Sequence, residues 1–274
     1  MLSTPTQLMR LSQGQLNLLE RCPRQFQHTY LEQLHSPSSS ENEERQTLGS
    51  RFHLLMQQRE MGLPIESLLQ ADAQLQSWMT AFADAAPEIL TPTLKSHFRE
   101  SEHLRTLQVQ NYLLTVVYDL LIADNQQAQI LDWKTYRKPP NKRFLEKNWQ
   151  TRLYLYVMAE TSEYLPEHIS MTYWFVQSEG KPQSIKFIYN TAQHEQTAKK
   201  LNQLLTKLTK WLEAYQSGEQ FPQVPEGSKA CEGCQFTTRC ERTDSSSSQM
   251  SASNSSSVVN TTLLNLASIQ EVSL

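Results

Sequence analysis

Apolar positions recur every three or four residues along the first third of the chain, then alternate or run together through its middle. The first rhythm is that of helices with one buried stripe, and the second is that of strands. Residues 11–34 open with Ser12 in an N-cap position and carry helical spacing, but Pro23 directly after Cys22 interrupts it. Two short helices or one kinked helix are therefore expected there. Residues 36–46 are rich in Ser and Glu and read as a flexible surface loop. Helices are expected over residues 46–61 and 65–85, the second burying Leu68, Leu69, Leu75, Trp78, Met79 and Phe82.

The pattern then changes period. Strands over residues 104–110, 112–123 and 129–135 would form a meander, stopped by Pro139-Pro140. One helix is expected over residues 142–160. Residues 169–177 and 184–189 flank the turn signal Ser178-Glu179-Gly180-Lys181-Pro182 and read as a hairpin. A long amphipathic helix over 191–216 ends at Ser217-Gly218. Residues 219–243 are loop-like, and the Ser-rich stretch from 244 to 274 is expected to be disordered. No internal repeat is visible.

Within the apolar strands stand charges that need an explanation. Asp119 interrupts the first run, and Asp132 and Lys134 share one face of the second, with Trp133 on the other. Charge placed in a half-buried strand must be paired or bound to metal. Two readings are open from these residues: a structural Asp–Lys ion pair, or a divalent-metal site with Asp119 and Asp132 as oxygen ligands. Glu102, ahead of the first strand, is either a metal residue of the outer shell or an ordinary charge at an element's end; the second is expected.

Composition narrows the classes. The formal net charge is −3, so no global positive field advertises a nucleic-acid partner, although a local groove is still open to one. The longest apolar stretch contains Asp119 and is too short to span a bilayer. With no signal-peptide pattern, a cytoplasmic protein without a membrane partner is expected.

The four cysteines fall into a three-plus-one arrangement, Cys231-x-x-Cys234-x5-Cys240 with Cys22 far upstream. That suits a tetrahedral thiolate site holding an iron–sulfur cluster, with zinc as the alternative. Such a clasp would close a loop of roughly 210 residues. Cys22→Ala is then expected to give colourless, poorly soluble protein.

Taken in chain order, these motifs resemble the PD-(D/E)XK nuclease superfamily, and within it the RecB-like branch. That branch includes AddB-type and CRISPR-associated exonucleases carrying a four-cysteine 4Fe–4S cluster. The resemblance covers about residues 10–242. Residues 12–30, with Cys22-Pro23 and Phe26, are similar to the family's N-terminal helix with its first cluster cysteine. Gly49-x3-His53 resembles its GxxxH motif, Asp119 its motif-II aspartate, Asp132-Trp133-Lys134 its (D/E)XK signature, and Gln150-x3-Tyr154 its QxxxY motif. Cys231, Cys234 and Cys240 match its C-terminal cysteines. Val116 departs from the glycine usual before motif II, and the stretch beyond Glu241 has no counterpart.

The resemblance implies an α/β protein with a restriction-endonuclease-like core, a small mixed sheet flanked by helices. An N-terminal helical region (11–100), a catalytic core (101–218) and a C-terminal cysteine clasp (219–243) would form one domain over residues 1–243. It implies a metal-dependent DNA exonuclease of repair or recombination, with His53, Asp119, Asp132 and the Trp133 carbonyl on Mg²⁺ or Mn²⁺. Lys134 would orient the attacking water, and Gln150 with Tyr154 would touch a DNA phosphate or hold Lys134. Arg137, Lys138, Lys142, Arg143, Lys147 and Arg152, opposed by Glu146, would line a backbone groove, with Trp149 and Tyr136 stacking on single-stranded bases or DNA ends. A helicase or CRISPR-type complex is the implied partner. Two rival readings are a catalytically silent DNA-binding subunit and a zinc-clasped structural protein.

Overall fold

Strand-forming sequence occupies the centre of the chain, and in the computed structural model it makes one six-stranded mixed sheet with helices on both faces. The structure describes residues 8–34, 40–91, 98–135, 139–177 and 181–242. The Ser-rich stretch from 244, Tyr136, Arg137, Lys138 and the turn residues Ser178, Glu179 and Gly180 lie outside the described residues.

β2 (Phe98–Val109), β3 (Tyr112–Ala123) and β4 (Ala128–Lys134) form the expected meander, antiparallel throughout. β2 starts six residues earlier than the alternation of the sequence suggested. β5 (Ile169–Phe175) runs parallel to β4, and β6 (Gln183–Ile188) returns antiparallel to β5. A short strand that sequence periodicity gave no sign of, β1 (Met9–Leu11), lies parallel to the start of β3. Three residues are too few to display a period.

The helices follow the apolar stripes but break where a side chain caps. α1 (Gln13–Arg21) starts after Ser12, whose N–H donates to the Gln15 carbonyl oxygen of the side chain at 2.8 Å. Pro23 then opens α2 (Pro23–Phe26), which continues as a π-helical turn, Gln27–Leu31. α3 runs Ser40–Glu60, so the segment expected as a loop already begins the helix there. The helix expected over 65–85 divides at Asp72 into α4 (Glu66–Ala71) and α5 (Ala73–Ala85). Asp72 accepts from the N–H groups of Gln74 and Leu75, at 3.0 and 3.1 Å, satisfying donors a helix start leaves free. α6 is the single turn Pro87–Leu90.

The helix expected over 142–160 divides in the same way. α7 (Lys142–Lys147) and α8 (Trp149–Glu160) meet at Asn148, which is extended (φ −68°, ψ 141°) and accepts from the Gln150 N–H at 2.8 Å. Asn17 of α1 grips the same junction: its amide donates to Asn148 at 3.0 Å and accepts the Trp149 N–H at 3.0 Å. We expect Asn148→Ala to lower stability by about 1–2 kcal/mol, measured by denaturant unfolding, because both the cap and the link to Asn17 are lost. α9 (Thr191–Gln216), capped by Asn190, spans the residues that its pattern predicted.

Two cores result, one on each face of the sheet. α1, α8 and α9 cover Tyr112, Leu114, Val116, Tyr118, Leu121 and Ile130. α3, α5 and α6 cover Leu120, Leu131 and Trp133, with Phe82 edge-on to both Trp133 and Trp174 at 5.3 Å. Even-numbered residues of β3 face the α8 side up to Tyr118, yet Leu121 and Ala123 face it afterwards and Leu120 faces the other. The strand thus changes face at Asp119. Its neighbour β2 is distorted at the same level: Glu102 has a left-handed φ of 51°, and the Glu102–Asp119 pair is skipped in a ladder whose register is otherwise unbroken.

Candidate active site

At that discontinuity the charged groups gather. β3 and β4 pair only as far as Leu120↔Leu131, so Asp119 and Asp132 stand one step beyond the last pair, where the two strands part. Asp119 fills the gap itself, accepting the Trp133 N–H at 2.6 Å. Its second oxygen lies 3.4 Å from Nδ1 of His53. α3 brings that histidine in from the opposite face of the sheet, and its Nε2 lies 3.1 Å from the Trp133 carbonyl oxygen. A carboxylate, an imidazole and a backbone carbonyl are therefore turned toward one another.

Glu102 joins them. Ligand-capable atoms of His53, Glu102 and Asp119 all lie within 4.8 Å of one another, the spacing that a single cation can satisfy. Glu102 does not stand at an element's end, as expected, but inside β2, with its carboxylate close to His53 and Asp119. No local pattern announces this; only the register across two strands does. Arg99 and Glu60, both absent from the sequence reading, hold the arrangement in place. Arg99 donates to Glu60 at 2.5 and 2.7 Å and to the Ile89 carbonyl at 2.6 Å, tying the end of α3 to β2. Gly49 packs close against the end of β4: a Cβ there would lie 3.1 Å from Thr135 Oγ1, so the threonine side chain would have to shift by a few tenths of an ångström.

Asp132 is 1% exposed. Its oxygens are both engaged, one with the Lys134 ammonium at 2.5 Å and the other accepting from the Gln150 side chain at 2.6 Å. The Lys134 nitrogen also sits 5.3 Å from the centre of the Tyr173 ring. Gln150 thus reaches Asp132, the ion-pair partner of Lys134. Tyr154, one turn along α8, is buried, and burial first, then Asp132 and Asp119, push its phenol far above its usual value.

The electrostatics record the crowding. Burial pushes the Asp132 carboxyl above its usual range, and Asp119 pushes it further, against the pull of Lys134 and His53. The Glu102 carboxyl is raised by burial first and then by Asp119. Burial opposes the charged form of His53, but Asp119 and then Asp132 outweigh it and raise its value. Acids that repel one another in one small volume form the environment in which a hard divalent cation gains most.

Trp149 is corrected by its burial. It is 0% exposed, fixed in the α1/α8/α9 core with the Lys200 ammonium 5.5 Å from its ring, so no base can stack on it. The N–H that begins α8 is held by Asn17, and that aims the indole inward.

Cys22, Cys231, Cys234 and Cys240 line one small cavity between the N-terminal helices and the C-terminal segment. Cys231 and Cys240 have thiols pushed up by burial first; Cys22 and Cys234 add to both, while Arg24 opposes the rise at Cys240. Protein contacts hold the same seam: Arg24 donates to the Phe221 carbonyl at 2.6 Å, and Gln27 accepts the Phe221 N–H at 2.6 Å.

The profile of the PD-(D/E)XK nuclease superfamily matches residues 10–241. The chain belongs to that superfamily. Its nucleases use divalent metals such as Mg²⁺ or Mn²⁺, which suits the His53, Glu102 and Asp119 group as a possible metal site. Among solved structures, a candidate exonuclease from Eubacterium rectale is 10% identical, with a TM-score of 0.52 over 90% of this chain and 91% of its own. At that identity the likeness concerns the fold. SSO0001 is 12% identical over 87% of this chain and 89% of its own, with a TM-score of 0.38. No curated protein matches. Among the described residues, no helix is long and apolar enough to cross a membrane.

Proposed function

We propose that this member of the nuclease superfamily is a metal-dependent DNA nuclease that hydrolyses phosphodiester bonds from strand ends, in DNA repair or recombination. The observation that carries the reading is the meeting of His53, Glu102 and Asp119 at the parting of β3 and β4, beside the Asp132–Lys134 pair. The exonuclease description of the Eubacterium rectale relative agrees with it.

His53, Asp119, Asp132 and the Trp133 carbonyl would hold Mg²⁺ or Mn²⁺, with Glu102 as a further oxygen donor; a bound ion would supply charge to the scissile phosphate and acidity to a bound water. Hard oxygen ligands suit either ion, and the imidazole moves preference toward Mn²⁺. Lys134, fixed between Asp132 and the Tyr173 ring, orients the attacking water and meets the charge that builds on the phosphate oxygens. Gln150 holds the Asp132 carboxylate in one orientation, and Tyr154 holds Gln150. Lys142, Arg143, Lys147 and Arg152 give the phosphate backbone a local positive surface that the overall charge of −3 conceals. No element reads base edges, so cleavage is independent of sequence.

The cysteine cavity would hold a 4Fe–4S cluster, since it gathers four soft sulfur donors and the Cys231 and Cys240 thiols, pushed up by burial and then by their neighbours, are relieved by binding as thiolates. A helicase or CRISPR-type partner belongs to the same reading. End-labelled single- and double-stranded DNA incubated with and without Mn²⁺ tests the activity: shortening only with the metal is expected, and intact DNA in both arms would overturn it. Iron analysis tests the cluster: brown protein with about four irons per chain is expected, and colourless protein containing zinc would replace that assignment.

A further inference from the structure

α7 stands beside a groove that the proposed chemistry does not use. This groove, of about 300 Å³, lies between α8, β6 and the first half of α9, walled by Lys147, Thr151, Arg152, Phe187, Gln193 and Gln196. It is close to the site. The Tyr173 hydroxyl lies 2.9 Å from Thr151 Oγ1 in the groove wall, and the same Tyr173 ring lies under the Lys134 ammonium at 5.3 Å. One buried ring thus separates the groove from Lys134.

α7 flanks the groove at both of its own ends. Lys147 lines it, and the Lys142 nitrogen stands 5.4 Å from the centre of the Phe187 ring. Between them Phe144 is 63% exposed while its neighbour Leu145 is buried. This exposed ring stands in sequence among Lys142, Arg143 and Lys147, with Glu146, which also lines the groove, as the opposing charge. Interleaved cations and an exposed ring are what a single strand requires: charge for successive phosphates and a face on which a base can stack.

Resting on the nuclease reading, we propose that the groove takes a few nucleotides of single-stranded DNA next to the scissile bond, with Phe144 as the stacking platform for one base and Arg152 and Lys147 on its phosphates. Duplex cannot use this platform, because its bases are already stacked. The groove therefore favours single strands and frayed ends over blunt duplex.

The test uses the full chain and a 12-nucleotide single strand carrying 2-aminopurine, with EDTA present so that nothing is cut. Binding is expected to quench the fluorescence, and Phe144→Ala to weaken binding about tenfold and abolish the quench, while Phe144→Trp retains both. Arg152→Gln is expected to weaken binding and flatten its salt dependence. Melting curves of each variant exclude misfolding, and Mn²⁺-dependent cleavage of blunt duplex by Phe144→Ala should stay within about twofold, since no exposed base reaches Phe144. Phe144→Ala binding the single strand as the parent does, or losing single strand and blunt duplex equally, would overturn the proposal. Parent protein that binds and quenches but cuts no DNA overturns the nuclease reading and leaves the platform standing. Parent protein that cuts DNA with an unaffected Phe144→Ala variant overturns the platform alone.

Discussion

Lys134→Ala is expected to lower Mn²⁺-dependent DNA cleavage by about 10²–10³, with DNA affinity within a fewfold of the parent. The ammonium stands 2.5 Å from Asp132 and faces the Tyr173 ring, so its position is fixed before substrate arrives. A preorganised charge acts on the developing phosphate charge without reorganisation at the moment of reaction, and that makes its removal costly in rate. On the proposed reading ground-state binding would draw instead on Lys142, Arg143, Lys147 and Arg152, which the substitution leaves untouched. Single-turnover cleavage of end-labelled DNA and binding without metal separate the two effects. Undiminished cleavage would remove Lys134 from the chemistry.

The same residue shows how much of the site sequence pattern could announce. Asp119, Asp132 and Lys134 were legible because charge in an apolar strand violates the burial rule, and such violations concentrate where function is. Gly49 and His53 were legible only as spacing on a helix. Their meaning depends on α3 crossing the sheet from the opposite face, which no local pattern encodes. The place of Glu102 beside Asp119 and His53 was missed for a related reason. Its importance comes from a left-handed φ opposite Asp119, a property of paired strands rather than of either sequence. Trp149 and Asn148 show the opposite failure. A tryptophan beside a basic cluster looks like a stacking ring until the Asn17–Asn148 contact, 131 residues apart in sequence, turns it inward. Phe144, the ring left outside, gave no signal, because three- and four-residue spacing cannot say which side of a six-residue helix is covered.

Asp119→Asn should raise the stability of the metal-free protein while abolishing stabilisation by Mn²⁺. The amide keeps an acceptor for the Trp133 N–H, so the contact between β3 and β4 survives. What disappears is one negative charge among three acids, the same charge that helps to hold the Asp132 and Glu102 carboxyls above their usual range. Relief of about 1 kcal/mol corresponds to a rise in Tm of about 2–4 °C for a protein of this size. The parent should show the matching pH dependence. An acid whose folded-state pKa is raised binds more protons folded than unfolded, so its stabilising contribution is complete below the ordinary aspartate value of about 3.9 and is lost as the pH rises through the raised one. Mn²⁺ should suppress that slope in the parent, because a bound cation favours the ionised carboxylates, and should leave it unchanged in the variant. Melting curves of both proteins at mildly acidic and neutral pH, with Mn²⁺ or EDTA, measure all of this. A variant that melts below the parent without metal, or that Mn²⁺ still stabilises equally, would mean that the acids at the parting of β3 and β4 are a structural cluster and not a cation site.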